Sequence, residues 1–176
     1  WTATDSCGNA NSCSQMIFVQ DTMRPSVTCP SAKLINCDAS QDPTALGYPI
    51  AVDQCHLAVT DLDFDDDTVD GSCIGQYDIL RHWMVADSCG NVNYCTQMIS
   101  VQDTTRPFIQ CKEATVYLNS NGEATLNQDN VVQSTGDNCG FSHFEVSRID
   151  FNCSDSDEAM VEVIAYDLCG NSNSCN

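Results

Sequence analysis

Apolar and polar residues alternate along much of this chain with a period of two. From Tyr77 to Ala86 the alternation places Ile79, Trp83 and Val85 on one face, which predicts a strand. Gln97–Val101 predicts a second strand. Gly90-Asn91 lies between them, and a glycine free to take positive φ supplies the hairpin turn. The same step occurs at Gly8 and Gly170. Glu113–Leu118 and Glu123–Leu126 flank Asn119-Ser-Asn-Gly122, which predicts another hairpin. No helical stripe of useful length appears. The expected fold class is all-β.

The pattern also repeats. Asp5-Ser-Cys7-Gly-Asn-Ala-Asn11-Ser-Cys13 returns as Asp87-Ser-Cys89-Gly-Asn-Val-Asn93-Tyr-Cys95, and again as Asp167-Leu-Cys169-Gly-Asn-Ser-Asn173-Ser-Cys175. Gln15-Met-Ile-Phe-Val-Gln-Asp21-Thr-Met-Arg-Pro25 matches Gln97-Met-Ile-Ser-Val-Gln-Asp103-Thr-Thr-Arg-Pro107. A repeat of roughly 80 residues signals tandem modules. The expected organisation is a partial module over 1–24, a full module over 25–106, and a second module over 107–176 that lacks its last strand. Modules at both ends are thus incomplete: the second has no counterpart of Thr96–Val101, while Ser14–Val19 is a spare copy of it. Short strands and frequent turns predict small Ig-like sandwiches, with a disulfide-stapled meander as the alternative. The Arg-Pro steps at 24–25 and 106–107 end strands and stiffen the joins.

Thirteen cysteines among 176 residues change the picture from generic β to disulfide-rich. That density belongs to an oxidising compartment such as the cell surface, periplasm or exterior. Zinc is the rival, but no pair of tight knuckles is present and His56, His82 and His143 are scattered. All thirteen are disulfide candidates: Cys7, Cys13, Cys29, Cys37, Cys55, Cys73, Cys89, Cys95, Cys111, Cys139, Cys153, Cys169 and Cys175. An odd count leaves at least one thiol free or bonded to another chain. Aligning the modules matches Cys29 with Cys111, Cys55 with Cys139, Cys73 with Cys153 and Cys95 with Cys175, while Cys37 has no cognate. Pairing Cys55 with Cys73 and Cys139 with Cys153 closes short loops within each module. The cysteines of the end pieces would then find partners on a neighbouring subunit. Trp1 and Trp83 are cognates expected in cores against a disulfide.

Charge excludes further classes. Lys plus Arg is 6 and Asp plus Glu 25, a net charge of −19, so nucleic acid and anionic membrane are repelled and cations are the natural partners. No apolar run approaches a membrane span, so no direct membrane insertion is expected. No export signal is visible, so any such signal has been removed or lies outside these residues. Calcium takes hard oxygen ligands. Asp5, Asp21, Asp53, Asp87, Asp103, Asp137 and Asp167 recur at strand ends and hairpin mouths, and their convergence at module junctions would form Ca²⁺ sites. The competing role is turn formation, since aspartate caps its own backbone. Asp61-Leu-Asp-Phe-Asp-Asp-Asp67 and Asp70 only superficially suggest an EF-hand, because Asp66 stands where glycine belongs; a solvated acidic loop is the expectation. No Gly-x-Ser-x-Gly, His-Glu-x-x-His or phosphate-cradling loop occurs, so no enzyme is expected.

The phrase Ala86-Asp-Ser-Cys-Gly-Asn91, followed by Val101-Gln-Asp-Thr-Thr-Arg-Pro107 and Cys111, resembles hyalin-type (HYR) repeats of large secreted bacterial proteins. Val116–Leu126, Gly136-Asp-Asn-Cys-Gly140, Phe151-Asn-Cys153 and Asp167-Leu-Cys-Gly-Asn171 are similar to sister repeats of Bacteroidetes cell-surface adhesins. The resemblance implies an Ig-like sandwich, an extracellular location and an adhesive or fibrous role without catalysis. Thr22, Thr104 and Thr68 follow aspartates in the manner of that group's O-glycosylation signal. The expected function is a subunit or repeat of an extracellular filament, self-associating head to tail by strand complementation. The alternative is a stalk module of a large adhesin that holds glycans or cell-surface ligands.

Overall fold

The computed structural model describes residues 1–55, 59–155 and 158–176, with the side chains of 59 and 60 not described. His56 therefore lies outside the described residues. The chain is a disulfide-rich β-sandwich protein, with 46 % of it in strands and 4 % in helix. The strands are β1 (Thr2–Thr4), β2 (Ala10–Ser12), β3 (Ser26–Thr28), β4 (Lys33–Asn36), β5 (Ile50–Val52), β6 (Val59–Asp70), β7 (Tyr77–Asp87), β8 (Val92–Gln102), β9 (Phe108–Cys111), β10 (Glu123–Thr125), β11 (Val132–Gly136), β12 (Phe141–Val146), β13 (Asp150–Asn152), β14 (Val163–Asp167) and β15 (Ser172–Cys175). One helical turn, α1 (Pro43–Leu46), opens on a proline, whose missing N–H costs nothing at a helix start.

In the first module β3 pairs with β5, and β4-β8-β7-β6 form a four-stranded sheet. The alternation of β7 turns Ile79, Arg81, Trp83 and Val85 inward, all of them buried. Gln97, Ile99 and Val101 of β8 stand opposite Arg81, Ile79 and Tyr77. Trp83 is 1 % exposed and sits 5.0 Å from the Phe64 ring and 5.9 Å from Tyr48. Gln97 is buried without loss, because its amide donates to the Ser31 and Leu46 carbonyls.

The acidic run expected as a loop is the edge strand β6. Leu62 and Phe64 alternate with aspartates, and the register puts Phe64 opposite Trp83 and Asp66 opposite Arg81. Asp66 grips the Arg81 guanidinium with two 2.8 Å bonds, and Arg81 lies 4.3 Å over the Phe64 ring. Asp61, Asp63, Asp65 and Asp67 face solvent.

In the second module β9 pairs with β11, β10 with β13, and β12-β14-β15 make the third sheet. Leu126, Val131 and Val163 form its core, packed by Ile109, Phe144, Val146 and Phe151. Val163 stands where the first module has Trp83, so this core is built from smaller side chains. The Asn119–Gly122 turn forms, with Gly122 at φ 76°, but residues 113–118 make no strand, and β10 pairs with β13 instead of closing a hairpin.

β1 and β2 form a separate hairpin with every residue exposed. Trp1 is 83 % exposed. This corrects the expectation of a core tryptophan: it matches Trp83 in sequence but has no opposing sheet. Gly8, Gly90 and Gly170 take φ 89°, 85° and 88°, so the three repeated turns share one conformation.

Candidate functional site

Repeated aspartates at strand ends build the two module junctions, and each begins as a turn. After β14, Asp167 Oδ1 accepts from the Cys169 and Asn171 N–H groups, both at 2.8 Å. After β11, Asp137 Oδ2 accepts from the Cys139 and Gly140 N–H groups. After β8, Asp103 Oδ1 accepts from the Thr105 N–H at 3.1 Å. Each carboxylate thus spends one oxygen on its own loop. The other oxygen of each (Asp103 Oδ2, Asp137 Oδ1 and Asp167 Oδ2) is buried and accepts no hydrogen bond. One carboxylate oxygen from each of the three lies within 4.8 Å of the others. Burial raises the Asp103 pKa above its ordinary value; the Thr105 N–H opposes this, and the Asp137, Asp167 and Asp38 charges add to it. Among the described residues no Lys, Arg or His forms an ion pair with any of the three.

The same junction is cross-linked. Cys37 bonds Cys139 and Cys73 bonds Cys169, so both bridges run from the first module to the second. Within modules Cys29 bonds Cys95 and Cys111 bonds Cys175, which are cognate pairs. The expected Cys55–Cys73 and Cys139–Cys153 pairs are therefore corrected, because Cys73 and Cys139 face each other's module across the junction. Cys7, Cys13, Cys55, Cys89 and Cys153 are free and exposed. The loop carrying Cys73 enters the junction at Gly75, where a Cβ would stand 3.0 Å from that of Asp103 and 3.3 Å from that of Cys139. Asn36 holds the linker to the first module, its amide donating to Thr105 Oγ1 at 3.0 Å.

The first junction repeats this geometry in part. Asp21 Oδ1 accepts from the Met23 N–H and Asp53 Oδ1 from the Cys55 N–H, leaving Asp21 Oδ2 and Asp53 Oδ2 buried without partners. Asp21, Asp53 and the Cys55 thiol converge. Asp87, cognate of Asp167, has both oxygens engaged, since Asn91 donates from its N–H and its amide, and that amide holds the Asp87 pKa low. Asp5 is exposed and likewise satisfied by Asn9, and it joins no cluster of three ligand side chains among the described residues. The expected set of seven therefore divides: three converge, two converge with a thiol, and Asp5 and Asp87 serve their own turns. Thr22, Thr68 and Thr104 are all exposed.

Sequence reasoning anticipated a spare segment at 14–19 but missed an open groove in the second module. Residues 116–119 precede the same kind of turn that follows β4 in the first module, yet among the described residues they pair with no strand. With Glu123, Ala124, Thr125 and Asn130, Val116 and Tyr117 line an open groove. Met16, Ile17, Phe18 and Val19, whose cognates lie in β8, are all exposed. The unpaired groove was not legible, because Val116–Leu118 reads as a good strand.

Among the described residues no helix is long and apolar enough to cross a membrane. Comparison of the chain with known protein families gives no match, and comparison with curated proteins gives none.

Proposed function

We propose that this chain is a structural element of an extracellular filament, built by stacking modules head to tail with disulfides across the junctions. The observation that carries this reading is the pair of bridges Cys37–Cys139 and Cys73–Cys169, which fix one module on the next. Disulfides of small domains ordinarily staple a single core; these staple an interface. Four disulfides also fit an oxidising, extracellular setting, as does the resemblance to secreted repeats.

Internal homology supplies the contact between copies. In the first module β4 runs parallel to the end of β8, pairing Lys33 with Ile99, Leu34 with Ser100, Ile35 with Val101 and Asn36 with Gln102. Among the described residues, 116–119 pair with no strand, and Ile17–Gln20 carries the sequence of the neighbour that β4 has. Laid in the same register, Ile17 stands opposite Val116, Phe18 opposite Tyr117, Val19 opposite Leu118 and Gln20 opposite Asn119. The donor segment adds a strand along this open groove, where backbone pairing carries the contact. A head-to-tail contact of this kind is heterologous and propagates as an open fibre. The linker and first module of the donor copy then follow as Asp103–Pro107 and the second module do here. Cys153, cognate of Cys73, meets Cys89, cognate of Cys169, so two of the five free thiols gain a partner.

The register makes the test specific. Val19 is 95 % exposed and Phe18 86 %, so neither supports the fold of the single chain. Val19 takes the buried place of Val101, whereas Phe18 takes the half-exposed place of Ser100. Under oxidising conditions, negative-stain microscopy and non-reducing gels are expected to show fibres and a reductant-sensitive ladder. Val19→Asp abolishes the fibres, Phe18→Asp weakens them less, and Cys153→Ser removes the ladder with an unchanged circular dichroism spectrum. A monomer under every condition, or fibres indifferent to Val19→Asp, overturns the reading and leaves the chain as a stalk segment.

A further inference from the structure

We infer that the second junction binds a calcium ion between Asp103, Asp137 and Asp167. The inference is independent of the filament reading, since all three ligands belong to one chain. Three carboxylates with buried oxygens inside a 4.8 Å cluster are like charges in a place that water cannot screen. Asp167 is 3 % exposed and Asp103 9 %, and each keeps one oxygen with no hydrogen bond. A buried acceptor without a partner is costly, and a buried carboxylate more so. A turn-forming role accounts for one oxygen of each residue and leaves the other unexplained. A cation accounts for all three at once.

The donor set selects the ion. Three hard oxygens from three loops suit calcium, which accepts six to eight ligands at about 2.3–2.6 Å in flexible geometry. Oxygens on opposite sides of such an ion stand no more than about 5 Å apart, which this cluster satisfies. Magnesium dehydrates reluctantly and demands a tighter octahedron, so a buried site is unfavourable to it. Zinc prefers nitrogen and thiolate; among the described residues no histidine joins the cluster, and the sulfurs beside Asp103 are tied up as the Cys37–Cys139 bridge. Asp103 closes the last strand of the first module, whereas Asp137 and Asp167 belong to the second. The ion therefore ties the linker to the module that follows it.

The test is thermal unfolding of the whole chain in chelator, in calcium and in magnesium, with equilibrium dialysis for bound metal. Calcium at about a hundredfold excess over its Kd is expected to raise Tm by roughly 5–10 °C. Asp167→Asn keeps an oxygen for the Cys169 and Asn171 N–H groups and removes one ligand charge. It is expected to melt at or above wild type in chelator, because repulsion in the trio falls, and to bind one calcium fewer. Asp137→Asn is expected to behave alike and serves if Asp167→Asn fails to fold. No calcium-dependent shift, an equal response to magnesium, or undiminished binding by both variants overturns the inference.

Discussion

Arg81 and Asp66 show how one residue pair can organise a module. Arg81 is buried at the centre of β7, and its charge is tolerated because Asp66 binds it bidentately and the Phe64 ring covers it. Asp66→Ala leaves the guanidinium buried without its partner, and urea unfolding is expected to show a loss of about 3 kcal/mol. Arg81→Met, which keeps the stacking and removes the charge, is expected to cost less than Asp66→Ala. Equal losses would show that the lost ion pair, and not the stranded charge, sets the cost. The junction aspartates are the counterpart: the sequence made their recurrence visible, and the turns they form follow from residue type. What residue type could not reveal is which oxygen each turn uses. That depends on how three loops meet, so the separation of Asp5 and Asp87 from the other five appears only in three dimensions.

At the scale of elements, β6 is the instructive strand. Five aspartates in seven residues read as a loop because acidic residues are poor strand formers. The period of two through Leu62, Phe64 and Asp66 was nonetheless present, and the register with β7 decides the matter. As an edge strand β6 presents unpaired backbone groups, and its outward aspartates repel another edge. Replacing Asp61, Asp63 and Asp65 with threonine preserves strand propensity and removes that repulsion. Light scattering is expected to show non-fibrous aggregation at concentrations where the parent chain remains clear; unchanged scattering would mean that strand length or twist protects the edge. The hairpin turns were legible down to the sign of φ at Gly8, Gly90 and Gly170, because a Gly-Asn step between two alternating runs has few alternatives.

For the whole molecule, the modular repeat was legible and the cysteine connectivity was not. Alignment of the modules gives cognates, but a cognate table holds no information about which face of one module meets the next. Cys73 and Cys153 match in sequence, yet Cys73 is bonded across the junction to Cys169 and Cys153 is free. The two junction bridges close loops of about 100 residues, where chain-entropy reasoning puts each near 4–5 kcal/mol. They should therefore couple the unfolding of the modules. Replacing Cys37, Cys73, Cys139 and Cys169 with serine is expected to split one calorimetric transition into two. A single transition in that variant would assign the coupling to the noncovalent junction.

The intramodule bridges have a consequence under mechanical load. Tension applied at Cys29 passes through sulfur to Cys95, along the backbone to Cys111, and through sulfur again to Cys175. Only the stretch from Cys95 to Cys111 is drawn taut, at most about 60 Å of contour by ordinary backbone reach. The strands between Cys29 and Cys95, and between Cys111 and Cys175, stay off this shortest load path as closed loops, tied to each other by the two junction bridges. Such a chain is close to inextensible: it bears tension through covalent bonds whether or not its sheets are folded, and gains length only when it is reduced.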